Sequence, residues 1–294
     1  MRTLRVVSGS VLAGVWAGSL AVAASVGPAP GFLGPDGSPL PFQSRAEVES
    51  FLSQARVVSS RAAPGGITGA RKLLLERDGV TAHAIFRTVA RTALVEPMPH
   101  GRVQPHFRDH HVNEVAAYEL AKLLGLGTVP PTVSRRIGAH QGSLQLWIEG
   151  AETERRFRER PLPPVERVRH ALQVDQMQVF DNLIHNIDRN LGNYLTDAFG
   201  RVWYVDHTRS FLRLPVLPRA ERVVRVDRGF WDRLREVSDE RLAATLALHL
   251  RDPEIRGLLE RRRRVVALLE SRLHERSPAR VLFSLAWVPA TRQR

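Results

Sequence analysis

Two acidic residues and an asparagine stand close together between residues 188 and 206. Asp188 opens the run Asp-Arg-Asn-Leu-Gly-Asn, Asn193 closes it, and Asp206 follows a short alternating strand at 201–205. Phosphoryl transfer needs a carboxylate that orients the attacking hydroxyl, and it needs oxygen ligands for the Mg²⁺ that neutralises the phosphates. The spacing therefore predicts Asp188 as the base and Asn193 and Asp206 as metal ligands.

A simpler interpretation of this hexapeptide is also open, because Asp and Asn are common in turns and helix caps. The surrounding pattern favours a catalytic and metal-binding role over a turn or a helix cap. Apolar residues at helical spacing over 165–184 predict a helix that leads directly into Asp188, and a strand-turn-strand pattern follows. A strand immediately before Asp206 would hold that carboxylate in one place, as a metal site requires.

The segment VFDNLIHNIDRNLGNYL at 179–195, with VWYVDHTRSF at 202–211, resembles the catalytic segment of a group of atypical kinases. This group is related to the phosphatidylinositol 3/4-kinases, to HipA and especially to the secretory Golgi casein kinase and four-jointed proteins. The similarity continues upstream in 113–120 and 124–131 and spans residues 64–212. It implies an α+β, bilobal protein-kinase-like fold with a small β-rich N-lobe and a mostly helical C-lobe. It also implies ATP with Mg²⁺ or Mn²⁺ as cofactors.

The resemblance places a phosphate-binding cation on the strand at 83–89, where these kinases carry a lysine and this chain has Arg87. A guanidinium keeps the charge but differs in shape from an ammonium group. Of the 43 basic residues only Lys72 and Lys122 are lysines, so Lys72, on the preceding strand, is the alternative. Glu114 is the expected partner of this cation, although a helical glutamate commonly faces solvent.

Two further segments belong to the nucleotide site that the resemblance implies. Gly66 and Gly69 lie in a glycine-rich segment whose backbone N–H groups would cover the phosphates, although glycines before a strand commonly mark only a turn. Gln145 and Trp147 lie on the alternating segment 145–150, which would connect the lobes. The resemblance implies that its backbone gives hydrogen bonds to adenine. An ordinary core strand explains the same alternation.

The N-terminus predicts export. Residues 1–24 carry Arg2 and Arg5 before a weakly apolar stretch that ends in small residues, which is typical of a signal peptide, with an uncleaved membrane anchor as the alternative. Export means the bacterial periplasm, the cell envelope or the medium, with no stable membrane span after cleavage. Residues 25–43, rich in Pro and Gly, are expected to form a linker. The N-lobe is then 44–150 and the C-lobe with the catalytic loop is 151–294, with helices at 230–237, 240–250 and 255–274.

The composition and net charge of the chain indicate which classes of partner it binds. The chain lacks cysteine and carries a net charge of +13, which favours anionic partners: a nucleotide and a hydroxyl-bearing acceptor, the charge pointing to an acidic one. No nucleic-acid motif occurs, and the basic run 261–264 is expected to be a solvated helix face. The sequence thus predicts an exported kinase-like enzyme that transfers the γ-phosphoryl group to protein, lipid or sugar. The alternative is a catalytically inactive pseudokinase or binding module.

Overall fold

A computed structural model describes residues 31–64, 69–98 and 103–285. The expected signal peptide and Gly66 lie outside the described residues. Within the described ranges, none of the helices combines the length and apolar character needed to span a membrane.

The first half of the chain is built on an antiparallel sheet of five strands in the order β1-β2-β3-β7-β6. Its strands are β1 (Arg56–Ala62), β2 (Arg71–Arg77), β3 (Val80–Arg87), β6 (Thr132–Ile137) and β7 (His140–Leu146). A two-stranded hairpin of β4 (Ala90–Pro97) and β5 (Val103–His110) follows β3, and helix α2 (Val112–Leu123) follows the hairpin.

The turn between β2 and β3 is formed by Asp78-Gly79, a dipeptide typical of tight hairpin turns. Asp78 has φ 52° and Gly79 has φ 78°, so both central residues are left-handed, as a tight hairpin turn with right-handed twist requires. This turn fixes the register in which Lys72 pairs with Ile85. The side chains of β2, β3 and β7 therefore alternate between a core face and a second face, which is turned towards the site.

Helix α1 (Arg45–Gln54) covers the core face of this sheet. It begins with Ser44 as its N-cap, because Glu47 N donates to Ser44 Oγ. The Glu47 carboxylate also accepts from Gln43 N. Residues 31–43, expected from composition to be a linker, depart from that expectation in the described part. Phe32 is buried and its ring lies 5.7 Å from that of Trp203, so one aromatic side chain anchors this segment to the domain.

The second half is mostly helical, as predicted. Its helices are α3 (Glu154–Phe157), α4 (Pro164–Ile184), α5 (Arg228–Glu236), α6 (Asp239–Leu246), α7 (Asp252–Glu275) and α8 (Pro278–Val281). Short strands β8 (Glu152–Thr153), β9 (Tyr194–Thr196) and β10 (Val202–Tyr204) form a small sheet next to the catalytic segment, and β11 (Val226–Asp227) pairs with β12 (Leu282–Phe283).

The basic run 261–264 differs from the expected solvated face, because Arg261 on α7 is fully buried. Its Nε donates to Leu183 O at 2.8 Å, and its Nη1 donates to Leu212 O and Leu214 O at 2.8 and 2.5 Å. Burial lowers the pKa of Arg261. These three carbonyls lie at the end of α4 and in the chain after residue 210, so this guanidinium joins α7 to both sides of the catalytic segment.

Arg261→Ala is expected to lower the free energy of unfolding by about 2–4 kcal/mol, since it removes packed volume and leaves buried carbonyl groups without donors. Arg264→Ala, on the exposed face of the same helix, is expected to change it by less than about 0.5 kcal/mol. Urea unfolding measures both. Equal losses in the two variants would show that Arg261 is no more than a surface residue.

Candidate active site

One face of the five-stranded sheet carries the polar side chains that the sequence points to. Lys72, Ile85 and Gln145 lie directly opposite one another across β2, β3 and β7, and Arg87 lies opposite Ser143 in the same arrangement. Directly opposed residues share a face of an antiparallel sheet. The opposite face carries Leu73, Leu75 and Phe86 into the core, so alternation alone assigns Lys72, Arg87 and Gln145 to the site side.

Arg87 links the sheet to both of the acidic elements around it. Its Nε lies 3.5 Å from Glu114 Oε1 on α2 and 4.0 Å from Asp206 Oδ1 after β10. The side chain is buried, and its Nη1 is a buried donor without a hydrogen-bond partner. A buried guanidinium donor without an acceptor is costly, which makes this atom a place where an anionic ligand would be stabilised.

Glu114 is fully buried and faces inward, unlike the solvent-facing alternative. Its carboxylate accepts hydrogen bonds from His207 N at 3.0 Å and from the His207 ring at Nδ1, 3.2 Å away. Burial raises the pKa of Glu114, but the Arg87 charge and the His207 hydrogen bonds outweigh burial, and the net pKa lies below its ordinary value. Glu114 thus holds the cation of β3 and the residue after Asp206 at the same time.

The neighbouring Asn113 extends this link. Its side-chain Nδ2 donates to Thr208 O at 2.6 Å and to Ser210 O at 3.0 Å, while Arg108 donates to its Oδ1. The first turn of α2 therefore fixes the chain from 207 to 210 through side-chain bonds to backbone atoms. Sequence reasoning did not single out Asn113, although it directly precedes the Glu114 that it did.

Asp188 and Asn193 occupy the two ends of one compact loop. Asn193 Nδ2 donates to Asp188 O at 2.9 Å, so the side-chain oxygen of Asn193 remains for a metal ion. Asp188 N donates to Asn186 Oδ1 at 3.1 Å. Burial raises the pKa of Asp188, with Asp206 adding to the rise and Arg209 opposing it. A carboxylate with a raised pKa is a stronger base towards a hydroxyl.

Asp206 has a left-handed backbone with φ 60°. A non-glycine residue in this region is uncommon and is found at sites where the surrounding structure enforces it. Its side chain is 40% exposed, and the hydrogen bond that Thr208 donates to its Oδ1 is long, at 3.5 Å. The carboxylate is therefore held in place by its backbone while its oxygens stay open to a ligand.

Arg189 is a positioning residue whose role sequence reasoning did not assign. Its Nε and Nη2 each donate to an oxygen of the buried Asp181 at 2.9 Å. Its Nη1 donates to Val205 O at 2.6 Å and also to Asn193 O. One guanidinium therefore ties α4, the end of the catalytic loop and the residue before Asp206. Its signal in the sequence is only its position next to Asp188.

Two further residues at the site were missed. Arg209 Nη1 lies 3.4 Å from Asp188 Oδ1, and its Nη2 donates to Gln104 on β5 at 2.7 Å. Asp109, at the end of β5, is buried, and burial raises its pKa, with Asp206 and Asp188 adding to the rise. Both positions depend on the β4–β5 hairpin reaching the catalytic loop, a contact that no local pattern indicates.

The segment between the lobes differs in part from expectation. The N–H of Trp147 donates to His83 O at 3.0 Å, and the N–H of Leu146 donates to Pro131 O at 2.8 Å. These two N–H groups therefore already donate to other backbone atoms of the protein. Adenine would have to bind to the backbone after Trp147. Gln145 is buried and donates to Thr132 Oγ1 at 2.9 Å.

Lys72, the alternative phosphate-binding cation, has no contact with Glu114 among the ion pairs of the described residues. It is buried, with Nζ 4.1 Å from the centre of the Trp147 ring and 3.6 Å from Glu149 Oε1. Burial lowers the pKa of Lys72, and Glu149 opposes this shift. Of the two candidate cations, Arg87 is the one that the structure brings to Glu114 and Asp206.

The donor set around the loop fits a metal-nucleotide ligand. Among residues 31–64, 69–98 and 103–285, no group of three or more His, Asp or Glu side chains is arranged to hold a metal ion by itself. Asn193 and Asp206 supply two oxygen donors, which is the small protein share usual for Mg²⁺ sites completed by phosphates and water. Gly69, with φ 72°, precedes β2 where the phosphate-covering segment is expected.

The fold has known relatives. A structure of hydra Fam20 with sugar matches with a TM-score of 0.61 and 18% identity, over 82% of this chain and 93% of that chain. Golgi casein kinase matches with a TM-score of 0.55 and 14% identity, over 81% and 77% of the two chains. The structure of the Golgi casein kinase with Mn/ADP bound matches with a TM-score of 0.53 and 16% identity, over 83% of this chain and 80% of that chain. The predicted α+β, kinase-like fold is therefore confirmed.

Sequence comparison reaches less far. No family model matches the chain. Protein Rv2133c of Mycobacterium tuberculosis is 29% identical over an alignment of 153 residues, and the match covers 42% of this chain and 52% of that protein. The match therefore spans about half the length of this curated relative.

The stability of the fold is expected to depend on Glu114 at acid pH. Because the folded-state pKa of Glu114 is lowered, its contribution is present above the unfolded value of about 4.3 and is lost as pH falls below it. Glu114→Gln should cost about 3 kcal/mol at pH 7, since Arg87 loses a buried partner. It should also flatten the fall in stability between pH 5 and pH 3.

Urea unfolding at several pH values checks this expectation, with the exposed Glu221→Gln as the control. Parallel stability curves for wild type and Glu114→Gln below pH 5 would contradict it.

Proposed function

We propose that this protein is a phosphotransferase that moves the γ-phosphoryl group of ATP to a hydroxyl group, with Mg²⁺ or Mn²⁺ as cofactor. The observation that carries the proposal is the position of Arg87, whose Nε is within 4.0 Å of both Glu114 and Asp206. This contact joins the cation of the sheet, the carboxylate of α2 and the carboxylate after β10, as phosphate-binding and metal-binding residues are joined in kinases.

The transfer would use residues on both sides of the cleft. Asp188 accepts the proton of the acceptor hydroxyl, whose oxygen forms a bond to the γ-phosphorus while the bond between that phosphorus and the β–γ bridging oxygen breaks, releasing ADP. Arg87, through its unpartnered Nη1, would hold a phosphate oxygen. Glu114 keeps Arg87 in position from α2.

Asn193 and Asp206 would hold the divalent ion. When bound, the ion neutralises negative charge on the phosphates. The left-handed backbone of Asp206 and the Arg189 bonds to the chain on both sides fix these two donors before any ligand arrives, which reduces the cost of binding. The Golgi casein kinase structure with Mn/ADP bound supports this choice of ligand.

Several finer points belong to the same proposal. The mature protein begins after residue 24 and acts outside the cytoplasm, an inference that comes from the N-terminal pattern of Arg2, Arg5 and small residues. Adenine would contact the backbone of 148–150, and the segment around Gly66 and Gly69 would cover the phosphates. The acceptor carries a hydroxyl, and the net charge of +13 favours an acidic one.

A catalytically inactive binding module is the second candidate, since Arg87 replaces the lysine of the resembling kinases. This candidate is not favoured, because Arg87 lies close to Glu114 and Asp206, where the lysine would be expected. In addition, the pKa of Asp188 is raised, as suits a base.

Metal-dependent nucleotide binding tests the site directly. Mn²⁺-ATP at about 100 times its dissociation constant should stabilise the protein by about 2.7 kcal/mol, measured as a thermal shift. Asp206→Asn should remove this stabilisation, because the ion loses a charged ligand. Asp232→Asn, at an exposed position of α5, should retain it. An unchanged Mn²⁺-ATP shift in Asp206→Asn would exclude Asp206 as a ligand.

A further inference from the structure

A cavity of about 460 Å³ lies beside the catalytic loop, separate from the cleft around Arg87. Five arginines line it, and no Asp or Glu is among its lining residues: Arg155, Arg158, Arg189, Arg219 and Arg222. They come from α3, the catalytic loop and the chain around the 3-10 turn Ala220–Arg222. We refer to this space as the arginine cavity.

The charges in the arginine cavity are only partly compensated. Arg189 is paired with the buried Asp181, and Arg158 lies 2.7 Å from Glu154. Arg222 reaches only an exposed Glu221 at 3.9 Å. Within the part of the chain that the structure describes, Arg155 and Arg219 have no carboxylate partner, and Arg219 makes only a 3.4 Å bond to Ile187 O and backbone contacts.

An arginine-rich composition does not by itself explain this arrangement. On the surface of α7, Arg262 and Arg263 both bind Asp239, and Arg263 and Arg264 bind Glu260. On α7, clustered arginines are therefore paired with acidic side chains. Arg155, Arg158 and Arg222 are exposed and Arg219 is half-buried. Water therefore weakens the repulsion between these like charges without removing it, and an anion placed among them would relieve it.

The lining also defines the chemical class of the ligand. Guanidinium groups bind phosphate oxygens through paired N–H donors, and arginine is the preferred residue for such recognition. Val174, Met177 and Leu191 supply an apolar wall to the same space. A cavity of this volume accepts a small organic molecule rather than a bare ion.

The cavity adjoins the catalytic machinery through the backbone. Leu191, between Asp188 and Asn193, accepts a hydrogen bond at its carbonyl oxygen from Arg155 N at 3.1 Å. Arg189 lines the cavity and also donates to Asn193 O. A ligand that binds these arginines would therefore contact the loop that carries the base.

We propose that the arginine cavity is a binding site for the phosphate group of an organic phosphate monoester, distinct from the nucleotide cleft. The site stands on its own residues and does not require the chain to be a kinase. Its apolar wall distinguishes an organic phosphate from free inorganic phosphate, which would use the arginines alone.

The test is calorimetric titration of the full protein with phenyl phosphate and with inorganic phosphate, in EDTA so that no divalent ion contributes. Phenyl phosphate is expected to bind wild type at least tenfold more tightly than inorganic phosphate. The double variant Arg155→Gln/Arg219→Gln should weaken phenyl phosphate at least tenfold. A double variant of two exposed arginines, Arg136→Gln/Arg280→Gln, matches it in charge and should change the affinity less than twofold.

Arg87→Gln separates this site from the cleft, since it should weaken Mn²⁺-ATP but leave phenyl phosphate unchanged. Loss of phenyl phosphate binding in Arg87→Gln alone would place the anion in the cleft and overturn the proposal. Equal weakening in both double variants would reduce it to general charge attraction. Equal affinity for phenyl phosphate and inorganic phosphate would overturn the proposal that the ligand is an organic phosphate. The cavity would then be a site for inorganic phosphate.

Discussion

The ion pair between Asp181 and Arg189 is the interaction on which the site depends. Both side chains are almost completely buried, and both oxygens of the carboxylate are bonded by the guanidinium at 2.9 Å. A buried pair is costly to desolvate and even more costly to break. Here the remaining guanidinium nitrogen, Nη1 of Arg189, donates to the carbonyl oxygens of Asn193 and Val205. Because Asp181 lies on α4, the pair fixes the catalytic loop and the residue before Asp206 relative to this helix.

A second chain of contacts connects the two halves of the molecule. Arg87 on β3 meets Glu114 on α2, Glu114 holds His207, and Asn113 holds the carbonyls of Thr208 and Ser210. Arg261 then fixes the chain at Leu212 and Leu214 from α7. Apart from the Arg87–Glu114 ion pair, these links join a charged or amide side chain to backbone atoms of the segment after Asp206. The position of that segment therefore depends on side chains from both lobes.

Much of this could be derived from the sequence, for identifiable reasons. The Asp78-Gly79 turn, the Ser44 cap, α4 and the strand before Asp206 carry local signals, and alternation on β3 sets Arg87 opposite in direction to Phe86. The rest depends on packing between distant segments. Arg189, Arg209 and Asp109 acquire roles only when the hairpin and α4 meet the loop. The burial of Arg261 and of Lys72, and the anchoring of Phe32 on Trp203, likewise depend on partners far away in the chain.

The central claim is that Asp188 is the base of a phosphoryl transfer, and transfer of label from γ-labelled ATP tests it most directly. With Mn²⁺ and with a panel of protein, lipid and sugar acceptors that carry hydroxyl groups, wild type should label at least one acceptor. Asp188→Asn should reduce the rate at least about 100-fold while keeping the thermal shift with Mn²⁺-ATP. An unchanged rate in Asp188→Asn, or nucleotide binding without any transfer by wild type, would contradict the account.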